Sequence, residues 1–403
     1  MQNRAQNAAM TTSSMTHPTA LSELTTIRVG GVPASLVAPP TEPELIETVR
    51  AIWQDRRHWL LLGGGSNTVA ADRGFDGTVI RIVTTGIERL DDGSSDRVHL
   101  RVQAGEPWDR VVATAVRNGW SGIEALSGIP GSTGAAPVQN IGAYGQELSG
   151  CLTAVDFLDE ATEQLRRMPA AELSLGYRTS AFKRGLAGVV TAVELELMAD
   201  TTQIGAPLSA PVGYAQLADA LGVQLGTRVP LAELRRTVLA LRASKGMVLD
   251  PNDPDSVSAG SFFTNPIVGA EFASTLPTKA PRWPLEEEEP DLVVPLDATD
   301  ADHSRSVAAV AEAAGQRALR QAARERTVKL SAAWLIEQAG IRRSFALPGS
   351  RAAISSKHTL AITNRGGATA EEIAQLARYV QGRVQSEFGV VLQPEPVLVD
   401  VYL

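Results

Sequence analysis

The sequence predicts an α+β protein in which strands and amphipathic helices alternate along the chain. Apolar residues recur at helical spacing in several segments, which predicts helices. Short runs rich in Val, Ile and Leu lie between the first of these segments and predict strands. Strand, helix and strand in this order are typical of α+β or mixed α/β layers. With 403 residues, 44% of them apolar, the chain can form the cores of two or three domains.

The N-terminal half supplies the first helices and strands. Residues 1–20 are polar, and we expect a disordered tail because they bury little apolar surface. Thr41 and Glu44 have the spacing of a capping box, so a helix is expected to begin there. A second helix is expected around Val111 and should stop at Gly119. Strands are predicted at residues 59–62, 79–83, 98–104 and 188–198.

The C-terminal half is richer in helices. A helix at residues 231–241 precedes a predicted domain boundary near 243–246. Residues 269–325 have the features of an insertion, with proline turns, an acidic run and an alanine-rich helix. Thr369 and Glu372 form a second capping box, which opens the last long helix. The remaining elements are predicted as a helix at 332–339 and strands at 390–392 and 397–402.

Composition narrows the class of partner. The net charge is −8 without a basic block, so nucleic acid is not expected as a partner. The single cysteine, Cys151, excludes intrachain disulfides and is expected to be a small buried residue in a reducing cytoplasm. The five histidines lack metal-ligand spacing, so no metal site is expected. No apolar run approaches the length of a membrane span, and no signal peptide is expected.

The most informative segment is a glycine-rich loop at residues 128–145. Its five glycines and two prolines exclude an ordinary helix or strand. A second glycine loop, GGGSN at residues 63–67, follows a predicted strand but matches neither the Rossmann fingerprint nor a P-loop. The N–H groups of such loops can bind phosphate oxygens. Together the loops favour a ligand with a pyrophosphate, such as a dinucleotide, over long structural loops.

Three further side chains are candidates for chemistry, each with a structural alternative. Arg178 lies beside an aromatic residue and would either grip a carboxylate or form a surface salt bridge. Ser261 could donate a proton in a dry pocket, although a serine that caps its own turn is favoured from the residues alone. Glu395, between two prolines, could serve as a rigid acid, although an exposed turn glutamate is favoured in isolation.

Taken in chain order, these motifs resemble the UDP-N-acetylenolpyruvoylglucosamine reductases, flavoenzymes that make UDP-N-acetylmuramate for peptidoglycan. The resemblance extends from about residue 24 to the C terminus. Besides the two glycine loops, it rests on residues 25–31, 177–180, 260–266, 331–340 and 356–358 and on Glu395. A single motif is only a hypothesis, but eight in the family's order and approximate spacing are specific.

The resemblance implies an FAD-binding fold of the vanillyl-alcohol-oxidase (PCMH) type, with two α+β subdomains and a C-terminal α+β substrate-binding domain. The last strand is expected to return to the first subdomain, which would bring Glu395 to the flavin. The inserted segment would be longer than the family's norm. The expected boundaries are residues 21–85 with 396–403 for subdomain 1, 86–243 for subdomain 2, and 244–395, including the insertion at 269–325, for the substrate-binding domain.

The resemblance also implies the chemistry. NADPH would reduce FAD, which would then pass hydride to the enolpyruvyl ether of UDP-N-acetylglucosamine. Arg178 and Glu395 match residues that stabilise the enol-like intermediate, and Ser261 matches its proton donor. Noncovalent FAD is expected because neither glycine loop holds a histidine. Cofactor contacts are matched by Gly63, Gly64, Gly65, Ser66, Asn67, Ser132, Thr133, Gly134, Asn140 and Gly142. Substrate contacts are matched by Tyr177, Tyr214, Lys245, Asn265 and Gln338.

Two rival interpretations predict different behaviour. An oxidase or dehydrogenase of the same fold would act on an alcohol or sugar, and a non-catalytic nucleotide-binding module would bind ligand without flavin turnover. Two residues depart from the family's pattern: Gln393 stands where many relatives have an acid, and Pro396 stands where a plain apolar residue is common. We expect a cytoplasmic monomer that acts on a small molecule and contacts neither nucleic acid nor membrane.

Overall fold

The computed structural model describes residues 18–90, 93–94, 96–200, 205–284 and 327–403. The predictions for the tail up to residue 17, for the acidic run at 286–289 and for the alanine-rich helix at 307–324 lie outside the described residues. The helices are α1 (Glu42–Gln54), α2 (Trp108–Arg117), α3 (Ala215–Leu221), α4 (Leu231–Ala243), α5 (Ala270–Thr275), α6 (Ala332–Gln338) and α7 (Ala370–Phe388).

Short strands alternate with these helices. Those of the N-terminal half are β1 (Ser35–Val37), β2 (Trp59–Leu62), β3 (Thr68–Ala70), β4 (Thr78–Arg81), β5 (Ile87–Leu90), β6 (Arg97–Gln103), β7 (Trp120–Ser121), β8 (Gly142–Ala143), β9 (Gln146–Glu147), β10 (Leu152–Asp159), β11 (Leu165–Pro169) and β12 (Gly188–Ala199). Those of the C-terminal half are β13 (Ser258–Ser261), β14 (Ile267–Gly269), β15 (Arg282–Pro284), β16 (Thr327–Leu330), β17 (Ala352–Ile354), β18 (Ala361–Asn364) and β19 (Val397–Val399).

The strands form separate small sheets and one larger one. Parallel strands in the order β1-β4-β2 make the first sheet, and antiparallel strands in the order β11-β10-β12-β6-β5 make the largest, with β7 added beside β12. The C-terminal region holds two antiparallel sheets, β13-β18-β17 and β14-β16-β15. Helices and mainly antiparallel sheets therefore occur together, as the predicted α+β class requires.

The final strand crosses back to the beginning of the chain. β19 pairs in parallel with β3, and Val399 packs in one buried cluster with Leu21, Leu62 and Val79. The last strand therefore pairs with a strand that lies within residues 21–85, the range predicted to form the first subdomain. The strand is shorter than the predicted 397–402, because Asp400 takes a left-handed φ of 57° that ends the extended backbone.

The last long helix has the predicted ends. Thr369 and Glu372 form the full capping box, and Gly389 ends α7 with a φ of 68°. The strand predicted at 390–392 is wrong, since these residues pair with no described strand. The carbonyl of Leu392 instead accepts a hydrogen bond from the Gln381 side chain at 2.8 Å, which replaces a strand partner.

The described part of the predicted insertion is packed into the C-terminal region. β15 pairs with β16, and Ala273, Leu276 and Ala280 belong to the large buried cluster around α6 and α7. The same cluster includes Ile27 and Val69 from the start of the chain. Residues 269–284 therefore form part of the domain's core rather than an appendage to it.

Cys151 lies in the core of the largest sheet, as predicted. Its side chain is buried among apolar residues that include Leu152 and Val193. Burial raises the pKa of the thiol to about 12, so it stays protonated and unreactive at neutral pH.

Candidate active site

The first glycine loop, residues 63–67, lies between β2 and β3 and packs directly against the second glycine loop. A Cβ atom on Gly63 would overlap with Ser132 Oγ, and one on Gly64 would lie 2.6 Å from Gly131 Cα. Residues with a side chain cannot allow this approach of two backbones. The absence of side chains at Gly63 and Gly64 therefore allows the two loops to pack together, and it also leaves their backbone open to a ligand.

Side chains of the first loop fasten the two loops to each other. Ser66 Oγ donates to the Pro130 carbonyl at 3.0 Å, and Asn67 Nδ2 donates to Gln139 Oε1 at 3.1 Å. Asn67 Nδ2 also donates to the Glu395 carbonyl at 3.1 Å. Asn67 thus joins both glycine loops to the C-terminal segment.

A cavity of about 410 Å³, here called the first cavity, lies between the loops. Within the described residues, no amide N–H of residues 63–67 donates to another residue, so these donors remain available to phosphate oxygens. Trp59, Phe157 and Phe182 are among the apolar residues of its wall and suit flat ring systems. Free N–H donors beside an apolar wall fit FAD, which combines a pyrophosphate with two ring systems.

Two residues predicted to contact the cofactor are buried behind the loop. Both the N–H and the hydroxyl of Thr133 donate to the Glu106 carbonyl at 2.8 Å. Asn140 is 1% exposed, and its side-chain oxygen accepts from the Ser149 N–H at 2.9 Å. Their side chains therefore shape the loop and do not line the first cavity. The predicted cofactor residues that line it are Gly63, Gly64, Gly65, Ser66, Asn67, Ser132 and Gly134.

A second cavity, of about 640 Å³, adjoins the first. Arg178, Ser261 and Glu395, which come from three distant parts of the sequence, all line it. Glu395 also lines the first cavity, so it lies where the two meet. The predicted catalytic residues are thus together, next to the space that fits the cofactor.

The Arg178 guanidinium is fixed on three sides. Nη1 donates to the Asn140 carbonyl at 3.2 Å, Nη2 donates to the Gly142 carbonyl at 3.1 Å, and Nε lies 3.2 Å from Glu395 Oε1. Gly142 was predicted as a cofactor contact but lines the second cavity. The backbone at Asn140 and Gly142 therefore positions Arg178, which is a different task from the one expected.

Glu395 is held rigidly by main-chain contacts. Its N–H donates to the Phe262 carbonyl at 2.9 Å, and the nearby Thr264 N–H donates to the Gln393 carbonyl at 3.0 Å. Burial raises the pKa of the Glu395 carboxyl above its usual range, and this effect outweighs the opposing charges of Arg178 and Lys183. The exposed turn glutamate favoured from the residues alone is excluded.

Ser261 is the last residue of β13, directly before two buried phenylalanines. Phe262 and Phe263 contact each other edge to face at 5.2 Å, and the Phe262 N–H donates to the Leu360 carbonyl at 2.7 Å. These contacts fix the backbone that carries Ser261. Its hydroxyl forms no hydrogen bond with another residue of the described ranges, so it does not cap a turn as the structural alternative required.

Tyr177 and Asn265 line the second cavity together. Burial raises the pKa of the Tyr177 hydroxyl. Asn265 Oδ1 accepts from the Ala332 N–H at 3.0 Å and so caps the start of α6. Asn265 therefore has a structural task in addition to the predicted contact with substrate.

Tyr214 and Lys245 also line the second cavity. Lys245 Nζ donates to Gln216 Oε1 at 2.9 Å and lies 5.5 Å from the centre of the Tyr144 ring. Tyr144 in turn contacts the Tyr214 ring edge to face at 5.8 Å. Burial lowers the pKa of Lys245, with a smaller contribution from the nearby charge of Arg242.

The site differs from the sequence prediction at its margins. Gln338 is exposed on α6 and does not line the second cavity, so its contact with substrate stays a prediction. Arg242 and Lys329 do line the cavity and were not predicted. Arg242 lies on the buried side of α4 with 9% exposure, and its Nε has no hydrogen-bond partner among the described residues. Arginine is mostly exposed in proteins, so the sequence pattern predicts a surface position for Arg242 and gave no sign that it lines the cavity.

Comparison with known proteins gives close relatives. The chain is 62% identical to UDP-N-acetylenolpyruvoylglucosamine reductase of Leifsonia xyli over 391 residues, which cover 96% of this chain and 100% of that protein. It is 46% identical to the enzyme of the same name from Saccharopolyspora erythraea, covering 97% of each chain. In the described ranges, each helix falls short of the length or the apolarity that crossing a membrane takes.

Family models and a solved structure agree with these relatives. Residues 252–399 match the C-terminal domain of UDP-N-acetylenolpyruvoylglucosamine reductase, and residues 33–168 match an FAD binding domain. The crystal structure of the reductase from Thermus caldophilus, at 24% identity, superposes with a TM-score of 0.56 and covers 94% of this chain and 97% of that one. The predicted fold class is confirmed. Because the identity to its relatives extends over nearly the whole length, the chain belongs to the UDP-N-acetylenolpyruvoylglucosamine reductase family.

Proposed function

We propose that Arg178, Glu395 and Ser261 are the catalytic residues with which this chain reduces UDP-N-acetylglucosamine enolpyruvate to UDP-N-acetylmuramate. The reaction, a step of peptidoglycan precursor synthesis, and NADPH as the reductant follow from membership of the family. FAD is the cofactor of the matched domain, and when bound it supplies the transfer of hydride from NADPH to the substrate. The observation that supports the residue roles is that all three line the second cavity.

Arg178 has the role of stabilising charge on the substrate's carboxylate. Reduction at the terminal vinyl carbon leaves negative charge on the neighbouring carbon and, by conjugation, on the carboxylate. Two backbone carbonyls and Glu395 hold the guanidinium before any substrate arrives. A donor that is already oriented stabilises developing charge without a cost of reorganisation.

Glu395 has the role of a neutral hydrogen-bond donor to the same intermediate. Its buried carboxyl has a raised pKa, which favours the protonated form. A protonated carboxyl can donate to the developing negative charge, whereas an ionised one would repel it. The main-chain contacts on either side keep it oriented.

Ser261 has the role of proton donor to the carbon beside the carboxylate. A serine hydroxyl is a weak acid, so it must be placed close to this carbon and resupplied with a proton. The hydroxyl is unpaired within the described residues, and the flanking buried phenylalanines fix its backbone. The proton from Ser261 and the hydride together complete the reduction of the double bond.

The nucleotide diphosphate is assigned to the second cavity. Tyr177, Tyr214, Lys245 and Asn265 line this cavity and offer one positive charge and several hydrogen-bond donors. A lysine suits a diphosphate as a point charge. Gln338 is assigned to the sugar or to the enolpyruvyl end of the substrate. Because Gln338 does not line the second cavity, this contact requires a movement of α6.

We further propose that the enzyme is a cytoplasmic monomer that acts in cell-wall synthesis, cell shape and cell division. The proposed domains are residues 21–85 with 396–403, residues 86–243, and residues 244–395. The pairing of β19 with β3 supports the assignment of the last strand to the first of these domains. The buried thiol of Cys151 is compatible with a reducing compartment.

An anaerobic visible spectrum of the purified protein tests the proposal. NADPH should bleach a flavin band, and UDP-N-acetylglucosamine enolpyruvate should restore it without oxygen. A band that returns only with oxygen would indicate an oxidase of the same fold. Acid precipitation should release all the flavin, because no covalent attachment is expected.

A further inference from the structure

Thr26 bonds to two segments that are far from it and from each other in sequence. Its N–H donates to the Gly65 carbonyl at 3.0 Å, and its hydroxyl donates to the Ser258 carbonyl at 2.6 Å. Gly65 belongs to the first glycine loop, and Ser258 begins β13, which ends at Ser261. One residue therefore joins the loop that we propose as a cofactor contact to the strand that carries the proposed proton donor.

The pairing of β13 within its own sheet is incomplete. β13 lies at the edge of the sheet β13-β18-β17, so only one side of it pairs with a strand. The register against β18 shifts between Ser258 and Ser261, which gives β13 one more residue there, and Gly260 has a φ of 74°. Such a bulge points a side chain in a direction that a regular ladder would not give it. The ladder alone therefore does not fix the direction of the Ser261 side chain.

Ser258 connects the Thr26 contact to this bulge. Its carbonyl accepts from the Thr26 hydroxyl, and its own hydroxyl accepts from the Gly260 N–H at 3.2 Å. Ser258 is buried, and Gly260 directly precedes Ser261. A shift of the backbone at Ser258 is therefore transmitted through the bulge to Ser261.

A second contact holds the Thr26 segment without using the Thr26 hydroxyl. Asn364, the last residue of β18, is buried and donates through Nδ2 to the Ile27 carbonyl at 3.0 Å and to the Arg28 carbonyl at 3.2 Å. Removal of the Thr26 hydroxyl should therefore leave this segment attached to β18. The expected effect falls on β13, which loses its contact with the segment.

We propose that Thr26 is a positioning residue that sets Ser261 relative to the first glycine loop. The inference rests on the proposed function, in which hydride and the Ser261 proton go to adjacent carbons of one double bond. The two sources must keep a fixed separation, and a misplacement of about 1 Å can slow such a reaction about 10²-fold. Thr26 lines neither cavity, so it acts only through Ser261 and should leave binding of the substrate unchanged.

Stopped-flow measurement of the two half-reactions at saturating substrate, in the FAD-loaded full chain, tests the proposal. Thr26→Val keeps the shape of the side chain without its hydroxyl, so reoxidation by substrate should slow about ten- to hundredfold, while reduction by NADPH stays within about twofold of wild type. Thr26→Ser keeps the hydroxyl and should reoxidise within about threefold of wild type. The double variant Thr26→Val/Ser261→Ala should reoxidise no slower than Ser261→Ala, since Thr26 acts through Ser261.

Thr25→Val is the matched control. The Thr25 hydroxyl donates to the Val29 carbonyl at 3.1 Å, so this variant loses a hydrogen bond of the same kind that stays inside the segment. Both half-reactions should keep the wild-type rate. Hydrogen–deuterium exchange of the same proteins gives a readout apart from activity. The amides of residues 258–262 should exchange about three- to tenfold faster in Thr26→Val and at the wild-type rate in Thr25→Val.

Several results would overturn the proposal. Reoxidation at the wild-type rate in Thr26→Val would remove the positioning role, and equal slowing of both half-reactions would mean that Thr26 supports only the first glycine loop. An additive loss in the double variant, or no recovery in Thr26→Ser, would mean that the Thr26 hydroxyl does not act through Ser261. If Thr26→Val loses its flavin, Thr26→Ala replaces it in the comparison, and loss of flavin there as well would assign Thr26 to the cofactor loop alone.

The same measurements separate this inference from the proposed function. A wild-type flavin that the substrate does not reoxidise, or a Ser261→Ala variant that reoxidises at the wild-type rate, would contradict the proposed function itself. The expected results for those two proteins, together with an unaffected Thr26→Val variant, would contradict only the role of Thr26.

Discussion

The guanidinium of Arg178 and the carboxyl of Glu395 form the junction between the second glycine loop and the C-terminal segment, with Nε 3.2 Å from Oε1. Two residues that are far apart in sequence thereby lie side by side at the second cavity. Arg178 receives its orientation from carbonyls of the glycine loop, and Glu395 receives its own from the Phe262 carbonyl. The loop that we propose as a cofactor contact therefore also orients Arg178, which we propose as a catalytic residue.

Replacement of Arg178 should affect only the second half of the reaction. We expect Arg178→Ala to slow reoxidation of the flavin by substrate about 10²- to 10³-fold, because the developing charge loses an oriented donor. Reduction of the flavin by NADPH should be nearly unchanged. Stopped-flow measurement of the two half-reactions checks this.

Arg184→Ala is a matched control for that variant. Arg184 is exposed and bonds to Thr179 Oγ1 and to the Ser174 carbonyl, outside both cavities. It should leave both half-reactions at the wild-type rate. Equal slowing of the two half-reactions by Arg178→Ala would mean that Arg178 supports the cofactor and not the substrate.

A methyl group at Gly64 should loosen the flavin site. Its Cβ would lie 2.6 Å from Gly131 Cα, so the two loops must separate, at a cost of about 1–3 kcal/mol. We expect Gly64→Ala to purify with a lower ratio of FAD to protein, measured from the visible and near-ultraviolet absorption. Gly150→Ala is the control, because a Cβ there meets nothing within 4 Å. Full FAD content in Gly64→Ala would exclude the tight contact between the loops.

The sequence predicted those features that depend on neighbouring residues. Both ends of α7 were predicted correctly, since the capping box of Thr369 and Glu372 and the terminal Gly389 act locally. The strand at 390–392 was predicted wrongly. The Leu392 carbonyl accepts a hydrogen bond from the side chain of Gln381 on the preceding helix and not from a neighbouring strand. Local pattern does not encode that contact.

The same limit applies to the site. Motif order identified Arg178, Ser261 and Glu395, which do line one cavity. It gave no sign that Asn140 faces away from the first cavity, or that Trp283 contacts Lys329. Such contacts depend on how distant segments pack, and one sequence carries no record of that packing.

Removal of the Ser261 hydroxyl should separate proton transfer from the redox step. We expect Ser261→Ala to keep the rate of flavin reduction by NADPH, while reoxidation by substrate slows about 10²- to 10⁴-fold. Ser274→Ala, at an exposed position on α5, should change neither rate. The proton-donor role would be lost if Ser261→Ala slowed both half-reactions alike or slowed neither.

The pH dependence of reoxidation should identify the working form of Glu395. Burial raises the pKa of this carboxyl, so the protonated form persists to higher pH than in an ordinary glutamate. If that form is active, the rate of reoxidation by substrate falls as pH rises through the Glu395 pKa. Glu395→Gln, which is neutral at every pH and still donates a hydrogen bond, should lose this decline and keep more activity than Glu395→Ala.

The raised pKa of Glu395 also makes the stability of the folded protein depend on pH. The folded protein binds the Glu395 proton more tightly than the unfolded chain does, so the stabilisation is full at low pH and is lost as pH rises through the raised pKa. The advantage of Glu395→Gln in unfolding free energy over wild type should therefore grow with pH. Thermal unfolding of both proteins over a pH series measures it. A Glu395→Gln variant as inactive as Glu395→Ala, with a stability difference that does not change with pH, would mean that Glu395 works as an ionised partner of Arg178.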